Sequence, residues 1–168
     1  MGMTRDVRAP RGLTAFGTLL VTATFAACEG SLSGPDPPEQ LIDGITYRVT
    51  SFTIAESFPV QLRITVELEN ESAIPRSVTF PDGCVVLMRA YDSGTEPVWD
   101  MGQTVACTLA LVEVDLAPGE SEEFNTGLVS AASILGDSLP NGEYRMTAYL
   151  RPGQVVELEA GMADLAVP

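Results

Sequence analysis

From residue 44 onward the chain alternates apolar and polar positions with a period of two. Val60, Leu62, Ile64, Val66 and Leu68 alternate with Gln61, Arg63, Thr65, Glu67 and Glu69. That pattern predicts a strand with one buried and one wet face. Ile45–Ile54 is rich in Thr, Val, Tyr, Phe and Ile, as strands are, and its apolar phase switches between Val49 and Phe52, which predicts a bulge. Shorter strands are expected at Arg76–Phe80, Cys84–Tyr91, Glu96–Asp100, Thr108–Leu116 and Ser121–Thr126. Further ones follow in an inward row of Tyr144, Met146, Ala148 and Leu150, then at Val155–Leu158 and Met162–Val167. Turn residues divide them: Pro81-Asp82-Gly83, Asp92-Ser93-Gly94, Pro118-Gly119 and Pro140-Asn141-Gly142. The one helix-tolerant piece is Leu128–Leu135. About eight or nine short strands and no long amphipathic helix point to an all-β antiparallel sandwich over residues 44–168.

The segment before residue 44 has a different character. Arg5, Arg8 and Arg11 precede an uncharged run from Leu13 to Ala27, which ends at Cys28. A basic stretch, an apolar stretch and small residues before a cut describe an export signal over residues 1–27. The apolar run is shorter than the roughly 20 residues of a spanning helix. Phe25-Ala26-Ala27-Cys28 resembles a bacterial lipobox, although Phe25 stands where leucine is usual. The resemblance implies lipidation of Cys28 and an envelope location; plain secretion is the alternative. Residues 28–43, rich in Pro, Gly and Ser, then read as a flexible tether.

Charge and composition narrow the function. The 168 residues carry 23 acids, nine arginines, no lysine and no histidine, for a net charge of −14. Beyond residue 27 six arginines face 22 acids, a net of −16. Such a surface repels nucleic acid and anionic membranes, so membrane attachment would rest on the lipid. Without histidine the commonest general base and metal ligand are missing; without lysine, Schiff-base and P-loop chemistry are. No enzyme activity, metal, cofactor or small-molecule substrate is therefore expected. Gly136-Asp137-Ser138-Leu139 spells a hydrolase signature, but a serine needs a base to become nucleophilic, so a plain loop is expected there. Glu67, Glu69 and Glu71, like Glu120, Glu122 and Glu123, read as solvated faces, since carboxylates along a strand point outward in parallel. Trp99, the single tryptophan, either plugs the core or belongs to a contact patch.

Once Cys28 is lipidated, Cys84 and Cys107 remain. An exported pair predicts a disulfide, worth about 3 kcal/mol for a loop of this length. Two buried free thiols are the alternative.

The order of features between Val60 and Leu150 resembles the BsuPI domain, an intracellular proteinase-inhibitor domain also found in exported proteins. An alternating strand ends in Glu69-Asn70-Glu71, where that family has a turn with asparagine. Val78-Thr79-Phe80-Pro81-Asp82-Gly83, then Val85–Tyr91 with Asp92-Ser93-Gly94 and Val98-Trp99, are similar to two of its motifs. Leu116-Ala117-Pro118-Gly119-Glu120 and Pro140-Asn141-Gly142-Glu143-Tyr144 complete the set. Cys84 and Cys107 depart from the family pattern. The resemblance implies an immunoglobulin-like fold and, more loosely, proteinase inhibition through a convex loop. Phe80–Cys84, Tyr91–Thr95 and Asp100–Ala106 are the candidate binding loops, with Phe80, Pro81, Asp82, Gly83, Asp92, Ser93, Gly94 and Trp99 as contact residues. The expected partner is a protein, with a proteinase as the leading case. A structural or assembly accessory of the envelope, docking a partner through a sheet edge or end loops, is the rival.

Overall fold

The computed structural model describes residues 39–55 and 59–167. Cys28 and the expected export signal lie outside the described residues. Each strand expected from periodicity overlaps an observed one, and every strand pair among the described residues is antiparallel.

The first sheet is built from β1 (Glu39–Ile42), β2 (Ile45–Ala55), β3 (Gln61–Asn70) and β8 (Ser121–Asn125), in that order, with β9 (Val129–Ser130) also on β3. The second runs β11 (Val156–Leu165), β10 (Gly142–Leu150), β5 (Leu87–Tyr91), β6 (Trp99–Asp100). A separate pair joins β4 (Arg76–Phe80) to β7 (Val112–Leu116). Two short helices, α1 (Met101–Thr104) and α2 (Ala131–Leu135), sit in connections.

The core follows from alternation. Leu62, Ile64, Val66 and Leu68 of β3 are completely buried, as are Met146, Ala148 and Leu150 of β10. Val156, Leu158, Ala163 and Leu165 of β11, and Val114 and Leu116 of β7, join them. The expected bulge in β2 is present. Val49 opposes Val66 and Ser51 opposes Thr65, so Thr50 is the extra residue. It resets the parity, placing Ile45, Tyr47 and Val49 before it and Phe52 and Ile54 after it opposite inward residues of β3. A second bulge interrupts the β10–β11 ladder at Met146/Thr147. There Gly161, at φ +140°, lies against the Phe52 ring, where a Cβ would come within 3.2 Å.

Three expectations change. Residues 39–42 are not tether but strand. Asp43 and Gly44, both at positive φ, form the two-residue turn of a hairpin that pairs Ile42 with Ile45. Asp-Gly between apolar pairs is the sequence sign of that turn, and a domain boundary at 43/44 cuts through it. Thr108–Leu111 is not strand, because β7 begins only at Val112. Its would-be partner stops at Phe80, where Pro81 has no N–H to continue the ladder. Finally, Val155–Leu158 and Met162–Val167 merge into the single bulged strand β11.

Asn70 continues the inward row of β3 and is completely buried. Its Nδ2 donates to the carbonyls of Ile74 and Leu116, both at 2.9 Å. Its Oδ1 accepts from the Ser72 amide at 2.9 Å and from Ser72 Oγ at 2.6 Å. Its backbone N–H donates to the Glu120 carbonyl and its own carbonyl accepts from the Gly119 N–H. One side chain thus satisfies all its hydrogen-bonding capacity while tying three chain segments together.

Candidate functional site

Cys84 and Cys107 form a disulfide with their Cα atoms 5.5 Å apart. Around it, two of the three expected loops meet a segment the periodicity had hidden. Asp82 Oδ1 accepts from the Cys84 amide at 3.0 Å, and its Oδ2 accepts from Arg151 at 2.6 Å. The Gly83 N–H donates to the Thr108 carbonyl at 3.1 Å. A Cβ on Gly83 would stand 2.1 Å from Thr108 Oγ1, so glycine is what lets the two segments touch. Phe80 is buried, with its ring 6.3 Å from that of Phe124; it supports the loop from beneath, while Pro81 is exposed.

The segment after Cys107 is the most apolar exposed stretch beside this corner. Leu109 is 98% exposed and Leu111 71%. Chain from Met101 to Val112 carries no charge, in a protein with 23 acids. Leu111 also lines a shallow cavity of about 540 Å³ with Thr79, Pro81, Arg151 and Val155.

The other expected loops behave differently. Asp92, Ser93 and Gly94 are exposed, and Asp92 Oδ1 accepts from the Gly94 amide at 2.7 Å, a self-contained turn away from the disulfide. Asp100 begins the third loop as the N-cap of α1, accepting from the Gly102 amide at 2.8 Å. Trp99 is half-buried: it packs against the core and also lines a groove of about 640 Å³ with Met101, Val105, Leu128 and Val129. Every residue lining that groove is uncharged.

The outer face of the second sheet holds a cross-strand network that alternation alone did not reveal. Arg89 donates to Asp100 and to Glu157, both at 2.8 Å, and its guanidinium lies 3.5 Å over the Tyr149 ring. Arg145 lies 4.1 Å over the Tyr91 ring and pairs with Glu159. The Tyr91 hydroxyl and Thr147 both bond Glu157. Burial opposes the Arg89 charge, but Asp100 and Glu157 outweigh it and push its pKa up. Burial, then the bond to Glu157, holds the Tyr91 hydroxyl above its ordinary range. These groups satisfy one another, so the face braces the sheet. The signal was in the residues opposite one another, Arg89 with Thr147 and Tyr91 with Arg145, which only the register reveals.

Other candidates take ordinary roles. Gly136 is the C-cap of α2, and Ser138 sits in the exposed turn after it. Glu67 and Glu69 face Arg48 across the sheet, at 3.4 and 2.6 Å, and Glu71 is exposed. Glu120 Oε2 accepts from the Ala117 amide at 2.8 Å, closing the turn before β8. Glu123 accepts from Thr50 at 3.0 Å, and Glu122 is exposed on β8, which carries charge along a sheet edge. Asp82, Cys84 and Cys107 crowd together, but bonded sulfurs are not thiolate ligands. No helix among the described residues is long and apolar enough to cross a membrane.

The antiparallel sandwich carries a disulfide-braced corner among its end loops. The model of the family described as BsuPI, intracellular proteinase inhibitor, matches residues 48–155, more than half of the chain, and the protein belongs to that family. No curated protein matches the chain. Among solved structures, the chain is similar to a β-glucosidase from Listeria innocua in complex with isofagomine, at 16% identity and a TM-score of 0.39, over 73% of this chain and 16% of that one. A β-glucosidase from Erythrobacter marinus gives 13% identity and a TM-score of 0.30, over 68% and 15%. The chain thus spans about a sixth of those enzymes, and the likeness carries no argument about activity.

Proposed function

We propose that this chain is a non-catalytic, proteinase-inhibitor-like binding domain, held at the bacterial cell envelope by lipid on Cys28. The observation that carries the inhibitory part is the family match across residues 48–155. The disulfide corner supports it, because a loop fixed before binding loses less entropy on docking. The basic and apolar segment before Cys28 supports the anchor. The acidic domain then stands off an anionic membrane while its acyl chains hold it there.

The test is a panel of purified proteinases titrated with the full chain. Stoichiometric inhibition of at least one is the expected result. Intact-mass analysis of the chain from bacterial membranes should show a diacylglyceryl adduct on a chain beginning at Cys28. An unlipidated N-terminus would remove the anchor from the reading and leave the inhibitor.

A docking accessory without inhibition is the second reading, favoured by the uncharged groove beside Trp99. Silence across the panel, with a partner cross-linked through Val105 or Leu128, would select it.

A further inference from the structure

The position of Leu109 identifies how such an inhibitor would engage its target. We infer that Cys107–Leu111 is the inhibitory loop, and that Leu109 is the side chain that enters the primary-specificity pocket of an endoproteinase with an apolar pocket. This inference rests on the inhibitor reading above and adds the site and the target chemistry.

Four observations converge on this segment. First, it is fixed at both ends against the same neighbour. The disulfide and the Gly83–Thr108 hydrogen bond hold its start, and the Val112–Phe80 pair holds its end. Leu109, Ala110 and Leu111 must arch between those points without a ladder partner. Second, Leu109 is 98% exposed, more than any other large hydrophobic residue described. A leucine held in water at a fixed place forgoes burial that a partner's pocket would supply. Third, Ala110 is a small, exposed residue beside Leu109, so backbone can approach a cleft closely on that side. Fourth, the surrounding stretch has no charge to desolvate, although the protein around it is strongly acidic.

The chemistry of the pocket follows from the side chain. A proteinase whose pocket carries a carboxylate selects arginine or lysine, and one with a hydrophobic slot selects large apolar groups. Leucine fits the second class. The stiffness of the loop matters as much as its sequence, because a slack segment with the same residues would be an ordinary substrate.

The experiment uses the full chain with chymotrypsin and trypsin as probes of the two pocket types. The unaltered chain should inhibit chymotrypsin and leave trypsin active. Leu109→Arg should weaken inhibition of chymotrypsin by about 100-fold or more and create inhibition of trypsin. Leu109→Phe should keep chymotrypsin inhibited. Ile74→Arg, at an apolar position 56% exposed near the other end of β4, should change neither. Because Leu109 lies in solvent, its variants should keep the melting temperature of the parent. If the unaltered chain inhibits chymotrypsin and Leu109→Arg inhibits it equally, the loop assignment falls while the inhibitor reading stands. If the unaltered chain inhibits only proteinases without an apolar pocket, such as trypsin, the loop assignment falls and the inhibitor reading stands; if it inhibits no proteinase of any type, both fall.

Discussion

The two ends of the β4–β7 ladder solve the same problem in opposite ways. At the Arg76–Leu116 end, Asn70 sews three segments together with hydrogen bonds, and every polar atom of its side chain is used inside the protein. At the Phe80–Val112 end, a disulfide and one backbone bond hold the segments, and apolar side chains are left in water. Both ends are tied, but the second holds the better-exposed apolar side chain: Leu109 is 98% exposed, against 56% for Ile74 at the first. A buried polar hub fixes the fold, whereas a covalent brace fixes a loop and leaves its side chains free.

The strongest way to break this comparison is at Asn70. Asn70→Ala would strand the Leu116 carbonyl and the Ser72 amide, while the Ile74 carbonyl keeps Ser72 Oγ at 2.7 Å. It should cost about 4 kcal/mol in urea unfolding, since each buried group left unpaired costs roughly 1–3 kcal/mol. Hydrogen exchange should quicken at Ser72. The next largest effect belongs to the other end. Replacing Cys84 and Cys107 together by serine should lower stability by about 3 kcal/mol. It should also make residues 107–111 the first site cut in limited proteolysis, and reductant should do the same to the unaltered protein.

Gly83→Ala sharpens the contrast with a smaller push. Its Cβ would displace Thr108, separating the two segments at a cost of about 1–2 kcal/mol. The disulfide would still form, so loss of inhibition with the bond intact would separate loop shape from covalent closure. The smallest effect is alkaline. Tyr47 lines a cavity of about 280 Å³ with Asp43, Arg76 and Ser77, at the Asn70 end. Burial, with Asp43 adding, raises its pKa from 10.0 to about 12. The folded state therefore holds the Tyr47 proton more tightly than the unfolded one. Its contribution is complete below pH 10 and is lost as pH climbs toward about 12, amounting to roughly 1 kcal/mol by pH 11. Tyr91 adds in the same direction. Tyr47→Phe should flatten that part of the profile in denaturant titrations.

What the sequence made legible depended on whether a residue's neighbours in the chain or its partners across the sheet decide its place. The inward row of β3 and the bulge in β2 are written in local alternation, and both are as expected. Pairing of Cys84 with Cys107 followed from composition and an expected oxidising compartment. Thr108–Leu111 was misleading because Ala110 continues the rhythm of Val112, Val114 and Leu116. A strand also needs a partner, and Pro81 ends the one available. The best-exposed leucine therefore lies inside a stretch that periodicity places in a sheet, not in any of the three candidate loops. Asn70 sat at an inward position that the turn motif around it disguised. The Arg89, Tyr91, Arg145 and Glu157 network needed the register between β5, β10 and β11, which no single strand contains.

The disulfide has one further consequence. Cys84 and Cys107 close a covalent ring that ends two residues before Leu109. Hydrolysis of the Leu109–Ala110 bond, one water giving a carboxylate and an ammonium, would leave two polypeptides with no bond between them. The β4–β7, β3–β8, β3–β9 and β5–β10 ladders, with the core between them, would then hold the pieces as a heterodimer. Its melting would then depend on dilution.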